Sequence, residues 1–457
     1  MTTTPAQATG LVPDLDALDP AVKRREARRV ILSSYLGSTI EFYDFLLYAA
    51  ASAVVFPAVF FTGLDPLTGT IAAYGTFAAG YLARPLGGAV FGHFGDKLGR
   101  KKMLVLSMLI MGVASTLIGL VPGAAQIGGW GAVILVFLRV CQGIAVGGEW
   151  GGAALMALEH SETGKRGFAA SFTNAGAPTG AALGTFVLGT FSALLPQEQF
   201  LAWGWRVPFL FSFVLLIVGM VIRAKVSESP VFAAAAMKAE AEQSATAAKP
   251  KLPLLQVLRR PRALLLTMFG GASGFGLQVL LSTFSVGYAT EAGSARSDVL
   301  YAFAVASIIS IFFVVGFGRV SDRFGRRPVM ITGLVLFVMF LTPFFTMLQS
   351  TNWFVLTLAF TIALALHGML YGPLAAFISE QFGTGARYTG ASLGYQLATL
   401  IGAGFTPTIL ATLYAGPGAG TSVVPVIGFL AGMALVSVLA ILFTRESKDL
   451  DLTTHEH

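Results

Sequence analysis

Long apolar runs, each bounded by a short polar segment, follow one another along most of the chain. An α-helix needs about 20 apolar residues to cross the roughly 30 Å hydrocarbon core of a bilayer. Twelve runs are long enough, near residues 30–56, 70–94, 103–121, 129–158, 167–194, 205–222, 263–289, 299–318, 328–348, 353–380, 388–414 and 422–443. Short segments of alternating polar and apolar residues, typical of transmembrane barrel strands, are missing from the sequence. We therefore predict an all-α membrane protein with twelve transmembrane helices.

The composition agrees with a membrane protein, because 55% of the residues are hydrophobic and only 12% are charged. The polar N-terminal segment lacks a small-residue cleavage site after an apolar core, so we do not expect a signal peptide. Cys141 is the only cysteine, and no disulfide or metal site is expected.

Basic residues predict the orientation of the chain. Of the 30 Lys and Arg residues, 26 lie in the N-terminus, in alternate loops or in the C-terminal tail, and the other four are Arg84, Arg139, Arg206 and Arg296. By the positive-inside rule, both termini are predicted to be cytoplasmic. The net charge of +7 therefore reflects topology, and nucleic acid is not an expected partner.

A repeated motif divides the chain into two halves. Residues 92–101 (GHFGDKLGRK) and 318–327 (GRVSDRFGRR) share the pattern G-x-x-x-D-[KR]-x-G-R-[KR] and are separated by nearly half of the chain. Each lies between the second and third predicted helix of a group of six. An acid followed seven residues later by an arginine also occurs after the fourth and tenth helices, at Glu159 and Arg166 and at Glu380 and Arg387. We infer a duplicated six-helix unit.

The duplication and the composition together define five segments. They are a cytoplasmic N-terminal segment (1–29), a first six-helix bundle (30–223), a cytoplasmic central loop (224–261), a second six-helix bundle (262–444) and a cytoplasmic tail (445–457). The central loop is rich in Ala, Lys and Glu, which is typical of a solvated connector with some helix.

The two repeated motifs resemble the signature of the major facilitator superfamily. Further stretches narrow the resemblance, namely EFYDFLLY, YLARPLGGAVFGHFGDKLGRKK, RVCQGIAVGGEWGGAAL, WGWRVPF, SESPVF, and YGPLAAFISEQF followed by ARYTGASLGYQ. Together they resemble the metabolite:proton symporter family, whose members carry dicarboxylates, tricarboxylates, shikimate, or proline and betaine. The resemblance extends from about residue 30 to residue 445. It implies the two-bundle facilitator fold and proton-coupled uptake.

Five ionisable residues fall within the predicted helices of the first half, at Glu41, Asp44, Arg84, Arg139 and Glu149. From the helical rise per residue, they lie in the middle third of the bilayer. A charge facing lipid at that depth costs at least a few kcal/mol. We therefore expect these side chains to face one another or water.

This cluster is the candidate for proton coupling. Three acids and two guanidiniums leave one carboxylate without a formal partner, and burial favours the neutral form of such a group. The resemblance implies a protonation-gated pair of an acid on the first helix and an arginine on the fourth, here Asp44 and Arg139. We hypothesise that Asp44 carries the proton, Arg139 tunes it or binds substrate, and Glu41 and Glu149 complete the network. The alternative is a permanently ionised lattice, Asp44 with Arg139 and Glu149 with Arg84, that only holds helices together.

The second half has no ionisable counterpart of this cluster. Alignment of the halves on the repeated motifs and on Glu159 with Glu380 places Thr267, Gly270, Ser310, Phe360 and Leu370 opposite its members. A lattice with a purely architectural role would be expected in both halves. Its restriction to one half therefore favours a functional role.

Candidate substrate ligands come from both halves. Arg84 is the stronger candidate for an anionic substrate and Arg139 is the second, because a guanidinium can hold a carboxylate by two parallel hydrogen bonds. The other candidates are polar or aromatic residues of the predicted cavity, Tyr48, Gln142, Gln278, His367, Tyr371, Tyr395 and Gln396. His367 is either a substrate ligand or a satisfied interior histidine, and the sequence leaves both interpretations open.

Small residues recur at every fourth position of the fourth and fifth helices, at Gly143, Gly147 and Gly151 and at Gly176, Gly180 and Gly184. This spacing allows close approach of helix backbones. We expect these faces to be packing surfaces.

The repeated motifs also predict a cytoplasmic latch. We expect Arg100 to pair with Glu159, and Arg326 with Glu380, when the cavity faces outward. The residues of the predicted latch are Gly92, Asp96, Gly99, Arg100, Glu159, Asp322, Gly325, Arg326, Glu380 and Arg387.

The sequence and the resemblance favour a secondary transporter that takes up a small polar metabolite, preferably an organic acid, with protons and by alternating access. A proton-coupled exporter is the second hypothesis, because GAPTG around Pro178 partly resembles the motif of drug:proton antiporters, although Ala177 replaces the usual glycine. Uptake of a zwitterionic osmolyte such as proline or betaine, and a sensor built on the transporter fold, also stay open. No enzyme is expected, because no nucleophile–base or metal constellation is visible.

The expected setting is the bacterial inner membrane, which the chain crosses many times. The expected partners are the lipid bilayer and a small-molecule substrate, and a monomer suffices for this fold. No cofactor is expected, with protons serving as the coupling ion.

Overall fold

The computed structural model describes the backbone of residues 20–98, 100–147, 164–225, 257, 261–382 and 387–448. Side chains are described for residues 31–88, 90–91, 105–147, 164–221, 257, 261–382 and 389–448. Within these ranges the structure consists of helices and their connections, with no strand.

Twelve long helices follow one another in chain order in the described residues. They are α1 (Pro20–Val54), α2 (Pro66–Leu98), α3 (Arg100–Ile118), α4 (Trp130–Gly147), α5 (Arg166–Leu194), α6 (Arg206–Lys225), α7 (Pro261–Val279), α8 (Arg296–Phe324), α9 (Arg326–Leu348), α10 (Trp353–Glu380), α11 (Arg387–Thr399) and α12 (Val424–Phe443). Three π-helical turns interrupt this regularity. The turn at Phe200–Gly204 precedes α6, the turn at Leu280–Phe284 leads from α7 into Ser285–Glu291, and the turn at Leu400–Gly404 leads from α11 into Thr406–Ala415.

The prediction of twelve helices is confirmed. Nine helical segments of the described residues are each long and apolar enough to cross a bilayer. The other three, α1 to α3, begin or end in residues whose side chains are not described. Helix α1 starts at Pro20, well before the predicted apolar run at residue 30, and so extends through the polar N-terminal segment. The predicted end of the fourth helix at residue 158 lies outside the described residues.

The outer surface of the bundle is apolar, as expected for contact with lipid. Large side chains such as Phe312, Met339 and Phe137 are 75%, 71% and 63% exposed. A soluble monomer rarely leaves an apolar surface of this extent uncovered. The exposed apolar residues of several helices therefore support a membrane location.

The two halves, α1–α6 and α7–α12, pack against each other mainly through α5 and α8, with further contacts of α1 with the end of α7, α2 with α11, and α5 with α10. We call the end of the bundle with the repeated motifs, 92–101 and 318–327, the signature end. At this end, Asp322 of α8 accepts hydrogen bonds from the backbone N–H groups of Gly167 (2.8 Å) and Phe168 (2.9 Å) at the start of α5.

Contacts between the halves are also present at the opposite end. The Tyr301 hydroxyl of α8 donates to the Thr190 hydroxyl of α5 at 3.1 Å. The Arg296 guanidinium lies 5.2 Å from the ring centre of Phe200, which belongs to the first half. The described residues therefore contact each other across the two halves at both ends of the bundle.

Glycines bring the helix backbones of the first half into direct contact. A Cβ atom on Gly143 of α4 would overlap the carbonyl oxygen of Gly80 of α2, and one on Gly147 would overlap the carbonyl oxygen of Arg84. On α5, a Cβ on Gly180 would overlap the backbone nitrogen of Tyr43 of α1. The predicted packing faces are confirmed for both helices, except that Gly151 lies outside the described residues. Because the neighbours are backbone atoms, they cannot move aside as a side chain would.

We predict that Gly143→Ala destabilises the folded protein by about 1–3 kcal/mol or more, because the added methyl group must push α2 and α4 apart. The measurement is thermal unfolding of the detergent-solubilised protein. Gly75→Ala is the matched control, since Gly75 lies on α2 and no atom is within 4 Å of its virtual Cβ. The control should unfold at the parent temperature or slightly above it, because Ala favours helix. Equal unfolding temperatures for the two variants would contradict the proposed backbone contact.

Candidate functional site

The predicted ionisable cluster lies inside the bundle. Arg139 is 0% exposed, Asp44 2%, Arg84 3% and Glu41 6%. The expectation that these side chains avoid lipid is therefore confirmed for four residues, and Glu149 lies outside the described residues. Because α1, α2 and α4 pack closely, one cluster combines charged groups from three helices.

The two guanidiniums of the cluster lie over aromatic rings. The Cζ atom of Arg139 is 3.9 Å from the ring centre of Phe45, 4.2 Å from that of Tyr48 and 4.8 Å from that of Phe77. The Cζ atom of Arg84 is 4.2 Å from the ring centre of Phe45 and 4.3 Å from that of Tyr81. Phe45 thus contacts both cations. The electron-rich ring faces supply part of the stabilisation that water would otherwise give.

Most donors of the Arg139 guanidinium are unused. Its Nη1 donates to Oε1 of Gln142 at 3.0 Å, whereas Nε and Nη2 have no hydrogen-bond partner within the described part of the chain. The Nε atom of Arg84 likewise has no hydrogen-bond partner within the described part of the chain. Buried donors are nearly always paired in proteins. Unused guanidinium donors inside an aromatic enclosure are the arrangement expected of a site that binds an anion.

Asp44 is held by hydroxyl groups. It accepts a hydrogen bond from the Ser212 hydroxyl of α6 at 2.6 Å, and the Ser115 hydroxyl of α3 lies close to the same carboxyl group. Ser115 in turn accepts a hydrogen bond from Nε2 of Gln142 at 2.7 Å. A chain of polar groups therefore leads from Asp44 through Ser115 and Gln142 to Arg139.

This geometry corrects the expectation of a direct Asp44–Arg139 pair. Among the described ion pairs none joins the two residues. The physical reason is that the Arg139 guanidinium packs on the rings of Phe45 and Tyr48, while Gln142, one helical turn along α4, lies between it and Ser115. Gln142 was predicted as a substrate ligand, but both ends of its amide are bonded within the first half.

The second half contributes an aromatic group on α7, α10 and α11. The His367 ring stacks on Tyr371 with centres 5.1 Å apart, and Phe275 lies edge-on to both Tyr371 and Tyr395. Tyr371 and Tyr395 are close enough to Glu41 and Arg84 to interact with them electrostatically. The Tyr371 hydroxyl is buried and interacts with the Tyr395 hydroxyl. The two halves therefore face each other where the predicted substrate ligands lie.

Other predicted ligands already have partners. Nε2 of His367 lies 2.8 Å from the carbonyl oxygen of Gly274, and because a carbonyl only accepts, this nitrogen carries the proton. That bond favours the satisfied interior histidine over the substrate ligand. The Tyr48 hydroxyl is hydrogen-bonded to Thr76 at 2.7 Å, and Nε2 of Gln396 donates to the Gly147 carbonyl at 3.3 Å. Gln278 is half-buried, and its backbone carbonyl accepts from the Ser282 hydroxyl.

The predicted contact between Arg326 and Glu380 is present at the signature end. The guanidinium donates through Nε and Nη2 to the two carboxylate oxygens at 3.3 and 3.2 Å, and through Nη1 to Asp322 at 2.7 Å. Gly325 joins α8 to α9 with φ at +101°, a conformation that favours glycine. In the first half, the backbone of Gly92, Asp96 and Arg100 is described but their side-chain contacts are not, and Gly99, Glu159 and the Arg387 side chain lie outside the described residues.

Sequence reasoning missed several partners of these residues. Glu446, after the last helix, accepts the backbone N–H groups of Arg326 and Arg327 at 2.9 and 3.0 Å, and Ser447 donates to Glu380 at 2.6 Å. Ser115 and Ser212 were also missed, because a serine within an apolar run gives no signal of its own. The sequence gives one indication of these contacts, which is that Glu446 follows directly after α12 and can therefore lie near the ends of other helices.

Both halves of the chain match known family models. Residues 30–258 match the model described as "Sugar (and other) transporter", and residues 272–456 match that of the "Major Facilitator Superfamily". Among solved structures, the chain resembles the "Crystal structure of D-xylose-proton symporter" with a TM-score of 0.71 at 18% identity, over 92% of this chain and 98% of that one. At this identity the likeness concerns the fold.

Curated relatives extend over most of the chain. An "Inner membrane metabolite transport protein YhjE" of Escherichia coli is 40% identical over 92% of this chain and 94% of its own. The "Shikimate transporter" of Escherichia coli is 40% identical over 85% and 88% of the two chains. A "Proline/betaine transporter" of Salmonella typhimurium is 33% identical over 89% and 83%.

We predict that Arg139→Met leaves the unfolding temperature of the purified protein unchanged or raises it. An apolar side chain of similar volume removes a buried cation whose donors are largely unused. Arg326→Met is the contrasting variant and should lower the unfolding temperature, because it leaves Glu380 and Asp322 without their shared cation. Thermal unfolding in detergent measures both. A large loss of stability in Arg139→Met would instead identify Arg139 as part of an architectural ion lattice.

Proposed function

The chain belongs to the major facilitator superfamily and within it to the metabolite:proton symporters, and on this basis we propose that it takes up a small organic acid together with a proton. The observation that carries the proposal is the pair of buried guanidiniums on Phe45, with donors of Arg139 and Arg84 that have no partner in the described residues. Such donors suit a carboxylate, which can accept two parallel hydrogen bonds.

The names of the relatives are compatible with a carboxylate ligand. Shikimate, proline and betaine, which appear in the names of relatives, all have a carboxylate group. A guanidinium pair could bind that group in each case. The common chemistry supports carboxylates as the substrate class and leaves the rest of the molecule open.

The aromatic surroundings favour an anion over a zwitterionic osmolyte. The quaternary ammonium group of betaine is recognised by uncovered aromatic ring faces. Here the faces of Phe45, Tyr48, Phe77 and Tyr81 already contact guanidiniums. A proton-coupled exporter of hydrophobic compounds is disfavoured as well, since two buried cations do not suit an apolar cargo.

We assign the proton to Asp44. Its carboxyl group is almost fully buried and is linked to Arg139 only through Ser115 and Gln142. When Asp44 is neutral, the Arg139 guanidinium is available to the substrate carboxylate. When Asp44 loses its proton, its charge competes for that guanidinium and favours release of the substrate. Glu41, and Glu149 from the sequence, are the further acids of the proposed network.

The proposed setting is the inner membrane, with both termini in the cytoplasm and the monomer as the functional unit. The signature end would then face the cytoplasm. Protons serve as the coupling ion, and the small-molecule substrate and the lipid bilayer are the proposed partners. Alternating access between the two halves moves the site from one face of the membrane to the other.

The substrate class is tested by counterflow in proteoliposomes. The protein is reconstituted, and vesicles are loaded in turn with shikimate, benzoate, 2-oxoglutarate, citrate and betaine. We expect exchange of at least one carboxylate that has no cationic group, and we expect Arg84→Gln to raise its KM at least tenfold. Exchange of betaine alone would contradict the anion site, and exchange of hydrophobic amines would support the exporter.

We predict that Asp44→Asn abolishes accumulation driven by a pH gradient but retains counterflow exchange, because the amide keeps the shape of the neutral carboxyl group and cannot release a proton. Internal acidification accompanying substrate entry should also be lost. The matched control is Asp65→Asn, since Asp65 is exposed in the connection between α1 and α2. It should accumulate substrate at the parent level. Gradient-driven accumulation by Asp44→Asn would remove Asp44 from the proposed role.

A further inference from the structure

A side-chain amide of the first half binds a backbone carbonyl of the second half. Nδ2 of Asn174 on α5 donates to the carbonyl oxygen of Tyr371 on α10 at 2.6 Å. Asn174 is 2% exposed, so this hydrogen bond is sealed within the contact between the halves. Neither residue belongs to the repeated motifs.

A second bond of the same kind runs in the reverse direction. Nε2 of Gln396 on α11, in the second half, donates to the carbonyl oxygen of Gly147 on α4, in the first half, at 3.3 Å. Gln396 is also buried, and its Oε1 atom has no hydrogen-bond partner in the described part of the chain. Each half thus supplies one amide donor and one carbonyl acceptor.

The two bonds occupy related places in the duplicated unit. Glu159 and Glu380 follow equivalent helices and therefore fix the register between the halves. In that register the donor Asn174 corresponds to Tyr395, the immediate neighbour of the donor Gln396. The acceptor Gly147 corresponds to Gly368, which is within one helical turn of the acceptor Tyr371. Helices α5 and α11 correspond, as do α4 and α10, so the two bonds join equivalent pairs of helices through residues that are not themselves equivalent.

Both bonds lie where helices depart from regular geometry. Pro178 follows Asn174 by four residues and removes the N–H that would bond to the Asn174 carbonyl. Pro373 lies two residues after Tyr371 within α10. A π-helical turn begins at Leu400, one turn after Gln396. Such irregular positions allow bending, so these contacts can separate without displacing whole helices.

The bonds lie between the site and the signature end. Asn174 is seven residues deeper along α5 than Gly167, which contacts Asp322, a distance of about 10 Å. Tyr371 is itself a residue of the site, with its hydroxyl near Glu41 and Arg84. The amide bonds are thus the contacts between the halves that come directly after the site in the direction of the signature end.

We propose that the Asn174–Tyr371 and Gln396–Gly147 hydrogen bonds form a gate that closes the site toward the signature end and breaks when the halves separate there. Neutral amides suit this role. On opening, each amide exchanges a carbonyl for water, and no ion has to be resolvated. The inference depends on the alternating access of the proposed function, but it depends on neither the substrate nor the proton carrier.

The test measures opening of the signature end in the absence of ligand. Ser171 of α5 is buried against Gly318 of α8, so a cysteine at this position reacts only when the halves part. The full-length protein with Cys141→Ser and Ser171→Cys is reconstituted in liposomes and alkylated with N-ethylmaleimide. Rates are compared for this parent, for Asn174→Leu, for Gln396→Met and for both together.

We expect each substitution to raise the alkylation rate about three- to tenfold, the range expected for loss of one hydrogen bond, and the double variant to exceed either single one. These substitutions keep the approximate side-chain volume and remove the amide donor without adding a charge. Asn174→Ala removes the bond by a second route and should give a similar increase. Thr173→Ala is the matched control, because Thr173 is buried on the same helix and its hydroxyl has no partner among the described residues.

A role in packing alone would give a different result. In that case Asn174→Leu would react at the parent rate, whereas Asn174→Ala would react faster. That outcome would overturn the gate, as would an equal increase in Thr173→Ala. Gel filtration and thermal unfolding identify variants that are misfolded. A failure of counterflow or of proton coupling would contradict the proposed function and leave this measurement unaffected.

Discussion

The cost of holding guanidinium charge inside a low-dielectric bundle determines much of this structure. Arg84 and Arg139 are almost completely buried, and within the described residues their guanidiniums contact aromatic faces and, for Arg139, one amide oxygen. Neither stabilises as well as a carboxylate would. The described site therefore retains a strong preference for an added negative charge, and a substrate carboxylate can supply it at the boundary between the two halves. The buried positive charge lowers the stability of the protein without substrate, and neutralising it increases the affinity for an anionic substrate.

The two halves of the chain contain different kinds of polar and charged residues. The ionisable residues to which we assign proton and anion binding lie in the first half and have neutral counterparts in the second. The second half contributes an aromatic wall and, at the signature end, the ion cluster of Arg326, Asp322 and Glu380, which also receives the C-terminal tail. The amide contacts across the interface, in contrast, occur in both halves at nearly equivalent positions. Contacts on equivalent helices therefore occur where the halves are proposed to separate. The charged residues of the proposed ligand site, in contrast, occur in the first half.

The sequence predicted the fold well because long apolar runs, glycine spacing and a repeated motif each correspond to one physical requirement of a membrane bundle. It also located the ionisable cluster, since a charge in an apolar run must be buried. It could not predict that Gln142 would lie between Asp44 and Arg139, because helix spacing gives the face of a side chain and not its rotamer. Ser212, Asp322 and Glu446 have partners far away in sequence, at Asp44, Gly167 and Arg326. Such pairs depend on tertiary packing and have no periodic signature.

The backbone contacts between α2 and α4 have a consequence for selectivity. Arg84 and Arg139 extend from these two helices, which touch at Gly80 with Gly143 and at the Arg84 carbonyl with Gly147. The two backbones are in direct contact there, which favours movement of α2 and α4 as one body in the alternating access that we propose. The distance between the two guanidiniums is then the same whichever face of the membrane the site opens to. This distance sets the length of an anion that can contact both cations. Replacing a single small residue at the contact between α2 and α4 would change this distance. A relative could therefore differ in substrate without any change in a group that touches the ligand.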